Sequence, residues 1–396
     1  MNKKLGFFTV GDKEFDSKIQ AVIYANSTLE DIKWNFNREV FKSLDWTTDP
    51  NLDINVLYKL RAQQLRETYD YIIIMCSGGA DSTNVLYSFL NNNIRVDEIV
   101  AGMPLSGLNN WSLDYNDKSA NNIISETFIA QKPLLEKVAK TNPEIRITIH
   151  DYFEDILKLK SDEWLYEGIS SNWIHFSGGT RHSLDKFTHI KTLAEAGKKI
   201  GIIYGVDKPS LSRGQYGDLW TVFIDASSTM GIVPFKEKYA NVIPDMFYYT
   251  PDMPVIMVQQ AHDLCKWIYK PENAEIKECM YDVTKSAEFN SSTERASKYQ
   301  RGIVPSIYPA IGHPTQRVWQ ANKPGLGLYD GGLAIDNWML KLHSGSMIYQ
   351  QIESDSTRFL KSINRKYMWT DNYRDGLIRF SQFYRIGHES QFMPAI

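Results

Sequence analysis

Cysteine is scarce in this chain of 396 residues, which contains three: Cys76, Cys265 and Cys279. They lie far apart and form no CxxC pair, so the sequence excludes a disulfide framework and a cysteine-rich zinc site. The eight histidines also lack HExxH or any other metal-ligand spacing. We therefore interpret each histidine as structural.

Long apolar runs are missing as well. No run approaches the roughly 20 residues that cross a bilayer, and Tyr71–Cys76 is typical of the longest. The start, Met1–Lys4, leads into no apolar stretch long enough for a signal peptide. We therefore expect an intracellular, cytoplasmic protein with no membrane partner.

Neither sign of charge is in large excess, since 44 basic and 47 acidic residues give a net charge of −3. A balanced surface argues against broad nucleic-acid binding, which needs an extended basic face. A local basic patch stays open as an alternative, built from Lys298, Arg301, Arg317 and Lys323.

Strand and helix patterns alternate through the first half of the chain. Tyr71–Cys76 is apolar, rich in β-branched residues and bounded by glycines, which predicts a buried parallel strand. A helix is predicted at 80–90, and further strands are predicted at 97–101, 145–149, 199–204 and 221–225. This alternation predicts an α/β fold with a parallel sheet flanked by helices.

A chain of this length is expected to divide into domains. We predict an N-terminal extension at 1–50, a sheet domain at 51–235, and a mainly helical domain at 236–396 that covers the sheet edge and supplies a substrate pocket. The last of these is rich in Trp, Tyr and Pro.

Ser77-Gly78-Gly79-Ala80-Asp81-Ser82 joins the first predicted strand to its helix. Two glycines let the backbone approach an anion, and the free amides at the helix start point toward it. The Ser77 and Ser82 hydroxyls add donors. A carboxylate beside phosphates requires a cation between them, so Asp81 is a candidate magnesium ligand. The GxxxxGK[ST] and GxGxxG phosphate motifs are absent.

A second candidate segment is Gly205–Pro209, which follows the strand ending at Tyr204. Ligands of open parallel sheets bind at the carboxyl ends of the strands. Here Asp207 can join Asp81 on magnesium, and Lys208 can neutralise phosphate charge. An ordinary turn containing Asp and Pro has the same sequence, so that alternative stays open.

The segment at 77–82 resembles the SGGxDS signature of the PP-loop, or N-type ATP pyrophosphatase, superfamily, which includes asparagine, GMP and NAD synthetases. The resemblance implies a HUP-like, adenine nucleotide alpha hydrolase fold that uses ATP and Mg²⁺. It also implies that Ser77, Gly78, Gly79, Asp81 and Ser82 grip the pyrophosphate. Adenine would lie against Ala101, Gly102 and Met103, although a plain strand end is the alternative there.

The strongest overall likeness is to poorly characterised asparagine-synthetase-like proteins of large tailed phages and marine viruses. It extends through Arg61–Leu65, Gly205–Pro209 and Tyr248–Asp252. It implies a phage-encoded protein that acts in the cytoplasm of a host cell.

Members of the superfamily adenylate a carboxyl, carbonyl or amide oxygen and then admit a nucleophile. Asn2 stands where glutamine-dependent asparagine synthetases have a catalytic cysteine, so we expect free ammonia, an amine, or ammonia from a separate donor protein. The expected product is an amide or C–N bond on a small-molecule acceptor. Two alternatives remain: modification of a nucleic-acid base, and nucleotide binding without turnover. The presence of Asp81 and Asp207 together favours catalysis, with Lys208 as a third catalytic residue.

Several other polar residues are weaker candidates for contacts with substrate or phosphate, and a solvated surface role is equally open for the charged ones. They are Arg181, Arg213, Lys236, Tyr299, Arg301, Arg365 and Lys366.

Overall fold

A computed structural model describes residues 6–15, 21, 24–25, 27–30, 32–103, 105–106, 126–152, 154, 183–223, 235, 239–282, 304, 306–311 and 381–393. Its strands are β1 (Phe7–Val10), β2 (Lys13–Phe15), β3 (Ile32–Asn35), β4 (Tyr71–Met75), β5 (Glu98–Met103), β6 (Arg146–Asp151), β7 (Ile200–Tyr204), β8 (Ser210–Arg213), β9 (Asp218–Val222), β10 (Val242–Met246), β11 (Tyr281–Asp282) and β12 (Tyr384–His388).

The α-helices are α1 (Arg38–Lys42), α2 (Ile54–Thr68), α3 (Ala80–Leu90), α4 (Lys132–Thr141), α5 (Thr188–Glu195), α6 (Val255–Ile268) and α7 (Ala274–Lys277). A π-helix at Glu126–Gln131 leads into α4, and 3₁₀ turns lie at Pro271–Asn273 and Glu389–Gln391. In the described ranges, no helix has both the length and the apolar content needed to span a bilayer.

Five of the described strands form a parallel sheet in the order β10-β7-β4-β5-β6. Side chains alternate between its faces. Ile72 and Ile74 share a core with α2 and α3, whereas Ile73 and Val100 share one with α5. Both faces are therefore covered by helices, and the predicted α/β class is confirmed.

The strand order reverses at β4, the first strand of this sheet in the chain. From β4 the chain adds β5 and β6 on one side, then crosses over to add β7 and β10 on the other. Because all five strands are parallel, the loops after β4 and β7 leave the same edge on adjacent strands. This is the crevice in which open α/β sheets bind ligands.

The predicted strand at 221–225 is wrong as a member of the parallel sheet. The fifth strand is β10, so the sheet continues past residue 235, where the sequence placed the end of its domain. A turn at 214–217 reverses the chain, and β9 pairs antiparallel with β8 and β12 in a second sheet, ordered β11-β8-β9-β12. Pro244 and Asp245 explain why the sequence pattern did not indicate β10, because both residue types are uncommon in strands. Proline is tolerated in a strand mainly at a sheet edge, which is where β10 lies.

A buried arginine joins α2 to the end of β10. The Arg61 guanidinium donates hydrogen bonds to the carbonyl oxygens of Met246 (2.7 Å) and Phe247 (3.3 Å) and pairs with Asp245 at 3.0 Å. Tyr69 Oη donates to the second Asp245 oxygen at 2.7 Å. This network fixes where the chain leaves β10, and therefore where the next residue, Tyr248, lies.

The turn after β4 requires a glycine at position 78. Gly78 has φ of +72°, and a Cβ built there would lie 2.8 Å from Gln131 N and 2.9 Å from Ala130 C. A side chain at 78 is therefore disfavoured by backbone conformation and by space. The close approach presses the loop against the end of the π-helix.

We expect Arg61→Leu to lower the free energy of unfolding by about 3–5 kcal/mol, because it leaves Asp245 charged, buried and without its cation. The matched control is Arg385→Leu. Arg385 pairs with Asp218 at 2.8 Å, but its side chain is 48% exposed against 1% for Arg61, so we expect a loss of about 1 kcal/mol or less. If urea unfolding gave the two variants equal losses of unfolding free energy, the stabilising role of the buried Arg61 network would be contradicted.

Gly78→Ala should destabilise the protein more than Gly197→Ala. Gly197 has φ of +78° with nothing within 4 Å of an added Cβ, so that variant carries only backbone strain of about 1 kcal/mol. Gly78→Ala adds a clash with backbone atoms, worth about 1–3 kcal/mol more. Urea unfolding of both variants measures the difference, and its absence would show that the loop does not press on residues 130–131.

Candidate functional site

The loop after β4 is closed by its two serines. Ser82 Oγ accepts a hydrogen bond from Ser77 N (3.2 Å) and donates one to Gly79 O (3.3 Å). Ser77 Oγ accepts from Gly79 N (3.3 Å) and lies 3.3 Å from Ser82 Oγ. Gly79 is the N-cap of α3, an eleven-residue helix. The first-turn amides of α3 lack acceptors within the helix, so they make this the positive end of its dipole.

The loop after β7 lies directly against this helix start. A Cβ built on Gly205 would lie 2.9 Å from Asp81 C and 3.0 Å from Ser82 N. Lys208 Nζ lies 3.1 Å from both carboxylate oxygens of Asp81. The two candidate segments, 77–82 and 205–208, therefore meet at the carboxyl edge of the sheet.

Asp81 also receives hydrogen bonds from two tyrosines. Tyr308 Oη donates to Asp81 Oδ1 at 2.6 Å, and Tyr248 Oη donates to the Asp81 carbonyl oxygen at 3.0 Å. Asn84 Nδ2 in turn donates to Tyr248 Oη at 2.8 Å. The Asp81 side chain is still 31% exposed, so its carboxylate remains open to solvent.

Three tyrosines, Tyr58, Tyr248 and Tyr308, pack together next to Asp81. All three are buried, and the Tyr248 ring centroid lies 5.6 Å from that of Tyr58 and 5.3 Å from that of Tyr308. Burial raises the pKa of each phenol well above its ordinary value, and the negative charge of Asp81 adds to the shift. The three hydroxyls therefore stay protonated at neutral pH and can act as donors.

Asp207 occupies a different environment from Asp81. It is buried, and its Oδ1 accepts a hydrogen bond from the backbone amide of Lys208. Its Cα lies within about 8 Å of Gly205 Cα, since only Val206 stands between them. Asp207 thus helps shape the loop that carries Lys208, and its role as a metal ligand stays a prediction.

The carboxylate of Asp81 suits a cation that is held partly by the substrate. Within the described ranges, no group of three or more His, Cys, Asp or Glu side chains is arranged to bind a metal. Magnesium commonly takes only one or two carboxylates and completes its shell with phosphate oxygens and water. A partly exposed Asp81 beside the positive end of a helix fits that pattern.

The predicted base site at Ala101, Gly102 and Met103 is the last part of β5. These residues are buried and pair in register with residues 149–151 of β6. Gln131 Nε2 donates to Gly102 O (3.1 Å) and Cys76 O (3.3 Å), while Gln131 Oε1 is buried without a hydrogen-bond partner among the described residues. The contacts observed there are made by Gln131, and base binding stays a prediction.

Arg213 does not join the site. Its guanidinium pairs with Glu389 through bonds of 2.6 and 2.8 Å, which raises its pKa and ties β8 to the turn after β12. The remaining weaker candidates lie outside the described residues: Arg181, Lys236, Tyr299, Arg301, Arg365 and Lys366, together with Lys298, Arg317 and Lys323 of the proposed basic patch.

Sequence reasoning missed the roles of Tyr248, Tyr308, Asn84 and Gln131. Tyr248 begins the segment Tyr248–Asp252, for which the sequence predicted a family likeness but no role. Tyr308 lies in a proline-rich stretch with no periodic pattern, and Gln131 reaches the site from a helix about 50 residues away. Only the fold brings these side chains to the loop.

Searches with the chain against models of known protein families, curated protein sequences and solved structures gave no match.

Proposed function

We propose that the protein is an ATP-dependent adenylating enzyme that holds ATP and Mg²⁺ at residues 77–82 and releases pyrophosphate and AMP. The observation that carries the proposal is the Asp81–Lys208 pair across the two loops at the strand-order reversal. A carboxylate that can hold a cation and an ammonium group that can meet phosphate lie together at the positive end of a helix.

The anion-binding part of the proposal is supported by three kinds of donor. They are the first-turn amides of α3, the Lys208 ammonium group, and the Ser77 and Ser82 hydroxyls, of which Ser82 would have to give up its bond to Gly79 O. Polyphosphate is the common ligand that matches such a set. Asp81 would repel that ligand unless a divalent cation lay between them, so the carboxylate supports magnesium as cofactor.

The strand order supports an adenine nucleotide alpha hydrolase-like fold. Numbered by their sequence, the strands of the parallel sheet run 5-4-1-2-3. Dinucleotide-binding folds share this order, but they carry GxGxxG after the first strand. This chain has Ser77–Ser82 there instead, which favours a site for the phosphates of ATP.

The proposed reaction has two steps. An oxygen of the acceptor attacks the α-phosphorus, the bond from that phosphorus to the bridging oxygen breaks, and pyrophosphate leaves with the electron pair. Ammonia or an amine then attacks the activated carbon, the bond from that carbon to the AMP oxygen breaks, AMP leaves with the electron pair, and the nitrogen loses a proton to solvent. Lys208 would neutralise charge on the leaving pyrophosphate, and Asp81 would hold and orient the cation.

Sulfur transfer, which commonly needs a reactive cysteine pair, is disfavoured because two of the three thiols are buried. Burial raises the pKa of Cys265 far above neutrality, so it stays a thiol and a poor nucleophile. Cys76 is buried as well. Amide or C–N bond formation on a small-molecule acceptor fits these residues better.

Two alternatives use the same loop. A nucleic-acid base modifier would also adenylate its substrate, and a salt-dependent gel shift of labelled tRNA or DNA would favour it. A nucleotide-binding protein without turnover would need no carboxylate beside the phosphates, so the position of Asp81 favours catalysis.

We expect ATP to be converted to AMP and pyrophosphate in the presence of Mg²⁺ and a deproteinised metabolite and nucleic-acid extract. The reason is that this loop lacks the lysine with which GxxxxGK[ST] loops grip the terminal phosphates. Product chromatography with and without EDTA measures the outcome. ADP as the sole product would contradict the proposal.

Asp81→Asn should lower this turnover by about 100- to 1,000-fold, the effect of losing one charge-stabilising group, and leave the fold intact. The matched control is Asp218→Asn, because Asp218 is also an ion-paired carboxylate and is 35% exposed against 31% for Asp81. We expect the control to keep the wild-type rate. Full activity of Asp81→Asn at saturating Mg²⁺ would refute the role of Asp81 as a metal ligand.

A further inference from the structure

The Asp81 carboxylate has three of its acceptor positions occupied. A carboxylate offers about four lone-pair positions. Lys208 Nζ lies 3.1 Å from each oxygen, and Tyr308 Oη donates to Oδ1 at 2.6 Å. Among the residues that the structure describes, no donor fills the remaining position on Oδ2, so it can take another ligand.

The two donors respond differently to a cation. Lys208 carries a positive charge, so it and a divalent cation repel each other when they share one carboxylate. Its flexible side chain allows it to move away. Tyr308 is a neutral donor, so its bond to Oδ1 is compatible with a cation on Oδ2.

The Tyr308 hydroxyl is held in place by its surroundings. Its ring is fully buried and packs 5.3 Å from that of Tyr248. The preceding residue, Ile307, is also buried, and its carbonyl oxygen accepts a hydrogen bond from Tyr58 Oη. Gln260 Nε2 donates to that same Tyr58 oxygen at 2.8 Å. These bonds fix the backbone next to Tyr308, and the buried ring cannot turn away from Asp81 without losing its packing against Tyr248.

We propose that Tyr308 is a positioning residue: it holds Oδ1 of Asp81 so that Oδ2 faces the magnesium ion while Lys208 moves from Asp81 to the phosphates. This inference rests on the proposed function, because it assumes that Mg²⁺ and ATP meet at the loop. It assigns Tyr308, in the described residues 306–311, a direct part in the site.

The test is ATP binding by isothermal titration calorimetry at a series of Mg²⁺ concentrations, without acceptor. Tyr308→Phe should raise the Mg²⁺ concentration that gives half-maximal binding by about tenfold, the effect of losing one hydrogen bond to a charged group. Binding without Mg²⁺ should be unchanged. A general loss of structure would instead weaken ATP binding both with and without Mg²⁺.

The chain offers a closely matched control in Tyr269→Phe. Tyr269 Oη donates to Glu389 at 3.1 Å, and Glu389 is paired with Arg213, so the same trio of phenol, carboxylate and cation occurs away from the loop. We expect this variant to shift the Mg²⁺ midpoint less than twofold. Equal midpoints for wild type and Tyr308→Phe would overturn the inference alone, whereas a wild type without Mg²⁺-dependent ATP binding would overturn the proposed function with it.

Lys208→Met provides a second variant if Tyr308→Phe does not fold. Removing the competing ammonium should lower the concentration of Mn²⁺ alone that half-saturates the protein, as measured by electron paramagnetic resonance, and should weaken ATP binding. If the affinity for Mn²⁺ stayed unchanged or fell, the result would contradict the proposal that Lys208 gives way to the cation at Asp81.

Discussion

The contact between Asp81 and Lys208 links the two halves of the parallel sheet at the point where the strand order reverses. Asp81 lies in the first turn of α3 after the central strand, and Lys208 follows the neighbouring strand β7. Gly205 allows the two loops to approach within contact distance. Handedness sends both loops to one sheet edge, and this contact then brings unlike charges to the start of a helix.

Buried polar contacts determine how the later parts of the chain meet this centre. Arg61 and Asp245 fix the exit of β10, which delivers Tyr248 to the carbonyl oxygen of Asp81. Tyr58, on the same helix as Arg61, holds the segment that carries Tyr308. Because an unpaired charge in the core costs several kcal/mol, a change at Arg61 is expected to disturb the loop as well as the stability.

The parallel sheet and its first loop could be predicted from sequence because their signals are local. β-branched runs indicate the strands, and Gly78 and Gly79 between strand and helix indicate the turn. The fifth strand could not be predicted, since Pro244 and Asp245 interrupt its pattern and only pairing with β7 defines it. The contacts of Tyr308 also escaped prediction, because a hydrogen bond to a residue 227 positions away leaves no local pattern.

A crystal structure with Mg²⁺ and α,β-methylene-ATP, which cannot be cleaved between its first two phosphates, tests the central claim most directly. The account predicts phosphates against the amides of 77–82, a cation on Asp81 Oδ2, Tyr308 still on Oδ1, and Lys208 moved from Asp81 to the phosphates. Nucleotide bound elsewhere, or at the loop with the Asp81–Lys208 pair unchanged and no cation on Asp81, would contradict it.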